Sequence, residues 1–129
     1  MVNLSKMTKQ FIFIASISLA LAVSVGAFGA HALKNILAET GKTEVFETAV
    51  RYQFYHSLGL FLVGLLAQKY QNKFLNYAGY LFILGMLLFC GSLYTLALTG
   101  FTKLGMIAPF GGFAFIVGWL FCAYSLRNY

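Results

Sequence analysis

The run FIFIASISLALAVSVGAFGA, residues 11–30, contains no ionisable side chain. Twenty such residues in helical conformation reach about 30 Å, the thickness of the hydrocarbon core of a bilayer. The segment therefore predicts a membrane span, and the rest of the chain repeats the pattern. Further apolar runs lie at about 52–68, 75–98 and 104–126. The expected fold is all-α: an integral membrane four-helix bundle, one transmembrane domain over 1–129, with neighbouring spans antiparallel because the second and third connections are short. Composition agrees, with 60% hydrophobic, 18% aromatic and 9% charged residues in a chain of 129, and a mean hydropathy of +0.81. That is more apolar surface than a soluble domain of this length can hide.

A rival reading makes the N-terminal run a signal peptide, because Lys6 and Lys9 precede it and Val25 and Ala27 resemble a small-residue cleavage site. The run is longer than a usual signal core, and cleavage would strip His31 of its helix. The span reading is preferred.

The first connection, between His31 and Arg51, is the only long one. Its mixed apolar and charged texture suggests a short interfacial helix broken at Gly41, with Thr43 as the cap of a second helical turn. An even number of spans puts both termini on one side. That side and the second connection carry Lys6, Lys9, Lys69, Lys73 and Arg127, against Lys34, Lys42, Arg51 and Lys103 opposite. The excess is slight but favours cytoplasmic termini in a bacterial cytoplasmic membrane. The same cations are scattered singly between apolar runs, so the net charge of +6 does not point to nucleic acid. Headgroup contact and snorkelling account for them.

Lipid gives helices no hydrophobic reason to associate, so packing depends on small residues. Ser18, Ala22, Gly26 and Ala30 form such a stripe on the first span, and Ala114, Gly118 and Cys122 on the fourth. Gly59, Gly85, Gly91 and Ser92 offer shorter smooth patches. Cys90 and Cys122 fall roughly 16 Å apart in depth at 1.5 Å per residue, too far for an intramolecular disulfide. Pro109 marks helix entry, or else frees a carbonyl beside a polar pocket.

Polar side chains gather in one half of the membrane: His31; then Glu47, Arg51, Tyr52, Gln53, His56 and Ser57; then Ser92 and Tyr94; then Pro109. In a helix extended back through the interface, Glu47 and Arg51 stand four apart and can pair, as can Tyr52 with His56 and Gln53 with Ser57. An ion pair lowers the cost of keeping Arg51 near hydrocarbon. His56 is expected to bond Tyr94 or a backbone carbonyl. His31 and His56 alone make a weak haem or metal set, so neither metal nor cofactor is expected. No phosphate loop or nucleophile elbow is present, and no carboxylate lies within a span to couple protons.

Four motifs stand in order: GAFGAHAL at 26–33, RYQFYHSLGL at 51–60, GSLYTLAL at 91–98 and PFGGFAFIVGW at 109–119. Through them the chain resembles the family called domain of unknown function 423. This is a set of small four-span membrane proteins that includes bacterial YgdD and YwdK and transmembrane protein 256 of animals. The resemblance implies a membrane helical bundle and no reaction, and it places His31, Tyr52, Gln53, His56, Ser92, Tyr94 and Pro109 on the family's motif positions. The expected role is non-enzymatic: a polar half-cavity that takes a membrane lipid headgroup, a small solute or a partner helix of its own or another kind. Arg51 would be the anion contact and His56 a pH-sensitive group. A small channel or transporter is the alternative, and a haem or metal oxidoreductase the third reading.

Overall fold

The computed structural model describes residues 3–127 and is helical along nearly all of them, with no strand among the described residues. Helix α1 (Lys6–Ala32) starts at a Ser5 cap, whose hydroxyl accepts the Thr8 amide. Helix α2 (Lys34–Thr40) is the interfacial helix expected in the first connection. It ends at Gly41, whose φ of 67° is open to a residue without a side chain. Helix α3 (Thr43–Tyr70) then runs unbroken, so the end of the first connection and the second apolar run are one helix. Thr43 is not its cap: Lys42 holds that position and no side chain caps the end. Helix α4 (Lys73–Gly85) is capped by Asn72 and continues through a π-helical turn (Met86–Cys90) into α5 (Gly91–Thr99), giving one rod over residues 73–99. A 3-10 turn (Thr102–Met106) leads into α6 (Ala108–Ser125), with Pro109 in the first turn, where no amide donor is missed.

Three helical stretches are long and apolar enough to cross a membrane: Lys6–Ala32, Lys73–Thr99 and Thr102–Ser125. α3 is long as well, 28 residues, but its first half is more polar than theirs.

α3 and the α4–α5 rod form the centre, with α1 on one side and α6 on the other. Contacts pair Thr8 with Gly64, Ser18 with Ser57 and Gly29 with Phe46, so α1 and α3 are antiparallel. Of the small stripe on α1, Ala22 is buried and Gly26 leaves room for Val50, while Ala30 is exposed; Gly29, outside that stripe, leaves room for Phe46. On α4 and α6 the packing is by rings seated on glycines. A Cβ on Gly79 would overlap the Phe11 ring, one on Gly85 the Phe115 ring and one on Gly118 the Phe82 ring. Gly111 goes further, since a Cβ there would run into the backbone amide of Phe89 in the π turn. These rings, with Leu60, Val63 and Leu75, make the main core. A smaller core of Leu37, Phe46 and Ala97 ties α2 to the bundle, helped by Thr40, whose hydroxyl donates to the Ala97 carbonyl at 2.7 Å. At the far end, Gln68 holds the N-terminal segment through the Ser5 amide, and Asn72 donates to the Ser125 carbonyl. Both ends of the described chain and the α3–α4 connection therefore lie together.

Candidate functional site

Gln53, Ser57 and Tyr94 meet in one chain of hydrogen bonds at mid-height. The Tyr94 hydroxyl donates to Gln53 Oε1 at 2.6 Å, and Gln53 Nε2 donates to the carbonyl and hydroxyl of Ser18 at 3.0 and 3.3 Å. The Ser18 and Ser57 hydroxyls are 2.6 Å apart, and Met86 Sδ accepts from Ser57 at 3.3 Å. The chain thus links α5, α3, α1 and the π turn. It borders a cavity of about 410 Å³ between α1 and the α4–α5 rod, walled by Phe13, Ile17, Leu21 and Leu87 and open along its side. Each part of this has a local cause. Gln53 and Ser57 share a face of α3 because they are four residues apart. The π turn is wide because the Gly91 amide reaches back to the Met86 carbonyl, five residues earlier. Ser92, buried, donates to the Phe89 carbonyl at 3.0 Å within that irregular stretch.

His56, one residue from Ser57, faces the other side, toward α6. It is 5% exposed and stacks on Phe115 with ring centroids 3.6 Å apart. Trp119 Nε1 donates to His56 Nε2 at 3.0 Å, which makes Nε2 the acceptor. Nδ1, 2.9 Å from the Tyr52 carbonyl, must then carry the hydrogen, so both ring nitrogens of a neutral imidazole are satisfied. Of the two partners expected for His56, the backbone carbonyl is the one found; Tyr94 is committed to Gln53. Tyr52 stacks on His56 and lies 4.6 Å from Phe89, closing an aromatic box whose outer edge includes Pro109. Pro109 stands in the first turn of α6 and lines, with Tyr52 and His56, a cavity of about 530 Å³ whose other walls are mainly aromatic.

The remaining expected residues do not join either group. His31 sits exposed on the last turn of α1, away from His56. Glu47 and Arg51 form no ion pair, and among the described residues neither has one; Arg51 Nη2 instead donates to Thr48 at 3.1 Å. Both are solvent-exposed, where pairing two long side chains gains little. They line, with Lys34 and Thr43, a separate crevice of about 350 Å³ between α1, α2 and α3, floored by Gly26, Ala30 and Val50. The single polar cluster expected from depth is therefore three places: the hydrogen-bonded chain, the His56 box and the interfacial crevice. Toward the terminal end, below the chain, the buried polar residues are Thr8, whose hydroxyl donates to the Gly64 carbonyl at 2.9 Å, and Ser125, whose hydroxyl donates to the Cys122 carbonyl at 2.7 Å.

Four participants escaped sequence reasoning. Ser18 figured only as a small packing residue, Phe115 and Trp119 only within the PFGGFAFIVGW motif, and Met86 was not singled out. Ser18 alone carried a signal, being the one hydroxyl on a stripe whose other members, Ala22, Gly26 and Ala30, are Ala and Gly.

Comparison with known proteins gives a consistent picture. Residues 25–112 match the family model described as "Protein of unknown function (DUF423)". The chain is 42% identical over 122 residues to UPF0382 membrane protein YwdK of Bacillus subtilis, covering 94% of this chain and 98% of that one. It is 45% identical over 112 residues to UPF0382 membrane protein SH2409 of Staphylococcus haemolyticus, covering 87% and 90% respectively. No solved structure matches it.

Proposed function

The chain belongs to the DUF423 family of membrane proteins, whose function is unknown, and from that premise we propose a non-enzymatic, four-span component of the cell membrane that holds the phosphate of a phospholipid headgroup in the α1–α2–α3 crevice. The observation that carries this reading is the pair of cations at that crevice. Lys34 and Arg51 border an apolar floor with no ion pair to either among the described residues. A phosphate monoanion accepts charge-assisted hydrogen bonds from both, and the adjacent Glu47 carboxylate suits the amine or hydroxyls that a headgroup carries beyond its phosphate.

That α3 crosses with the other three is supported by its length, about 42 Å at 1.5 Å per residue, and by its packing along α1 from end to end. Its lower hydropathy comes from the exposed Glu44, Glu47 and Arg51 of its first turns and from Gln53 and His56, which bond inside the bundle and present no unsatisfied group to lipid. Cytoplasmic termini are supported by the slight excess of Lys and Arg at the end where Lys6, Lys69 and Lys73 lie, and they would put the crevice in the outer leaflet.

The test uses the whole protein in detergent. Phosphatidylglycerol should raise its melting temperature and co-purify with it, and Lys34→Ala/Arg51→Ala should abolish both effects. Equal lipid retention and equal thermal shift in the double variant would sink the reading.

A further inference from the structure

We propose that the mid-membrane cavity between α1 and the α4–α5 rod binds a lipid-soluble carbonyl compound of the isoprenoid quinone class. Depth is the first argument, and it needs only the two helices that are plainly long and apolar enough to cross. Ser18 lies about 20 Å from either end of α1 at 1.5 Å per residue, which puts it near the bilayer midplane. The esters and phosphate of a glycerophospholipid stay at the interface, roughly half a 30 Å core away, and cannot reach it. A quinone head is a polar group that dissolves in the hydrocarbon itself.

The second argument is hydrogen-bond supply. The Ser18 and Ser57 hydroxyls have two hydrogens between them, and one lies in their shared 2.6 Å contact. The other has only the Met86 thioether, 3.3 Å from Ser57 and 3.7 Å from Ser18. A thioether is a weak acceptor, so a carbonyl oxygen entering beside Ser18 takes that hydrogen on better terms. Ser57 is fully buried and can turn its own hydrogen to Ser18, which leaves the Ser18 hydroxyl free to donate outward. The Tyr94 hydroxyl, whose hydrogen is committed to Gln53, keeps a lone pair for the hydroxyl of the reduced, quinol form.

Shape is the third. A volume of about 410 Å³ with apolar walls and a few convergent polar groups is that of a small-molecule site, and the side opening lets an isoprenoid tail run out among the lipid chains. Gly91 sits on the rim, and a Cβ there would meet nothing within 4 Å. A side chain can therefore be added at Gly91 on the rim, where its first atom clears its neighbours, to narrow the cavity.

The experiment is equilibrium binding of radiolabelled menaquinone-4 to the full chain in nanodiscs, corrected for empty discs. Saturable binding of one molecule per chain is expected. Gly91→Phe should weaken it at least about ten-fold with the melting temperature unchanged, and Gly91→Leu serves if the ring is not accommodated. Ser18→Ala should weaken it about three- to ten-fold, the loss of one hydrogen bond. Lys34→Ala/Arg51→Ala should leave it unchanged, which separates this site from the headgroup crevice. Phytane, a branched chain without carbonyls, should not compete. Binding no greater than to empty discs, binding indifferent to the Gly91 variants, or displacement by phytane as effective as by menaquinone-4 overturns the proposal, the last by showing a site for any lipid chain.

Discussion

His56 and Ser57 are consecutive on α3, yet they answer the same problem in two ways. Each is a polar group buried in the bundle, where an unsatisfied donor or acceptor costs about 1 to 3 kcal/mol. Toward α6, His56 is covered by Phe115, Tyr52 and Trp119 with both ring nitrogens used, so the cavity of about 530 Å³ against those rings meets aromatic surface and no free polar group of the imidazole. Toward α1, Ser57 belongs to a chain that ends on a thioether and borders an open cavity. The aromatic side commits its polarity to the fold, whereas the hydroxyl side keeps some in reserve. A bundle can therefore carry a structural and a binding region at one depth, separated by a single residue step along one helix.

The two sides share the α4–α5 rod, and the largest predicted effect breaks both through it. Deleting Leu84 from the regular part of α4 turns everything beyond it by about 100°, taking Met86 and Tyr94 from Ser57 and Gln53 of α3 and Phe89 from Phe115 of α6. No folded protein is expected, a loss beyond about 5 kcal/mol. Deleting Leu87, which is exposed within the π turn, only removes the extra residue of a wide turn and restores an α-helix in the same phase. That variant should fold with a loss under about 2 kcal/mol. Size-exclusion profiles and melting curves of the two deletions check the contrast, and equal collapse would mean that the π turn is not an insertion in an otherwise regular rod.

Next in size come changes confined to the aromatic side. Gly111→Val drives a side chain into the Phe89 amide and should cost about 3 kcal/mol, at the upper end for overpacking because the obstacle is backbone. His56→Ala removes the acceptor of the Trp119 indole and the disc on which Phe115 stacks, for about 2 to 4 kcal/mol. Trp119 is the only tryptophan, so its emission reports the bond directly. A blue shift is expected in His56→Ala and none in Ser57→Ala. A matching shift in both would mean that the two sides are not independent.

How much of this was legible in the sequence depends on range. Each apolar run announces its own helix, and the i,i+4 spacing of Gln53 and Ser57 rightly places both on one face of α3. Whether two such groups meet a third on another helix is set by rotation about the axis, which depth alone does not carry. That is why Arg51, His56 and Tyr94 read as one cluster with His31 and stand in three places, with His31 exposed apart from all of them. α3 shows the opposite limit. Its polarity lowers its hydropathy although Gln53, His56 and Ser57 are all bonded inside, because a hydropathy sum counts a paired side chain as if it faced lipid. The π turn leaves no mark in composition: MLLFC is as fit for an α-helix, and the close approach of Gly111 to it is a contact between segments far apart in the chain.

The smallest effect tests whether the hydroxyl side is as loosely committed as its geometry implies. Tyr94→Phe removes one hydroxyl while the ring keeps its edge contact with Phe46, 5.6 Å between centroids. Gln53 Oε1 loses its partner, but the Gln53 amide still holds Ser18. Interhelical hydrogen bonds in membranes average about 0.6 kcal/mol, so a loss of about 0.5 to 1 kcal/mol is expected in mixed-micelle unfolding. A double-mutant cycle with Gln53→Leu should return a coupling of about 0.6 kcal/mol, and the His56–Trp119 cycle one closer to the observed maximum of about 1.7 kcal/mol. If the Tyr94–Gln53 coupling proved the larger, the hydroxyl chain would be as firmly built as the aromatic box. A ligand would then have to break it to enter, which removes the physical ground for reading one side as structure and the other as a site.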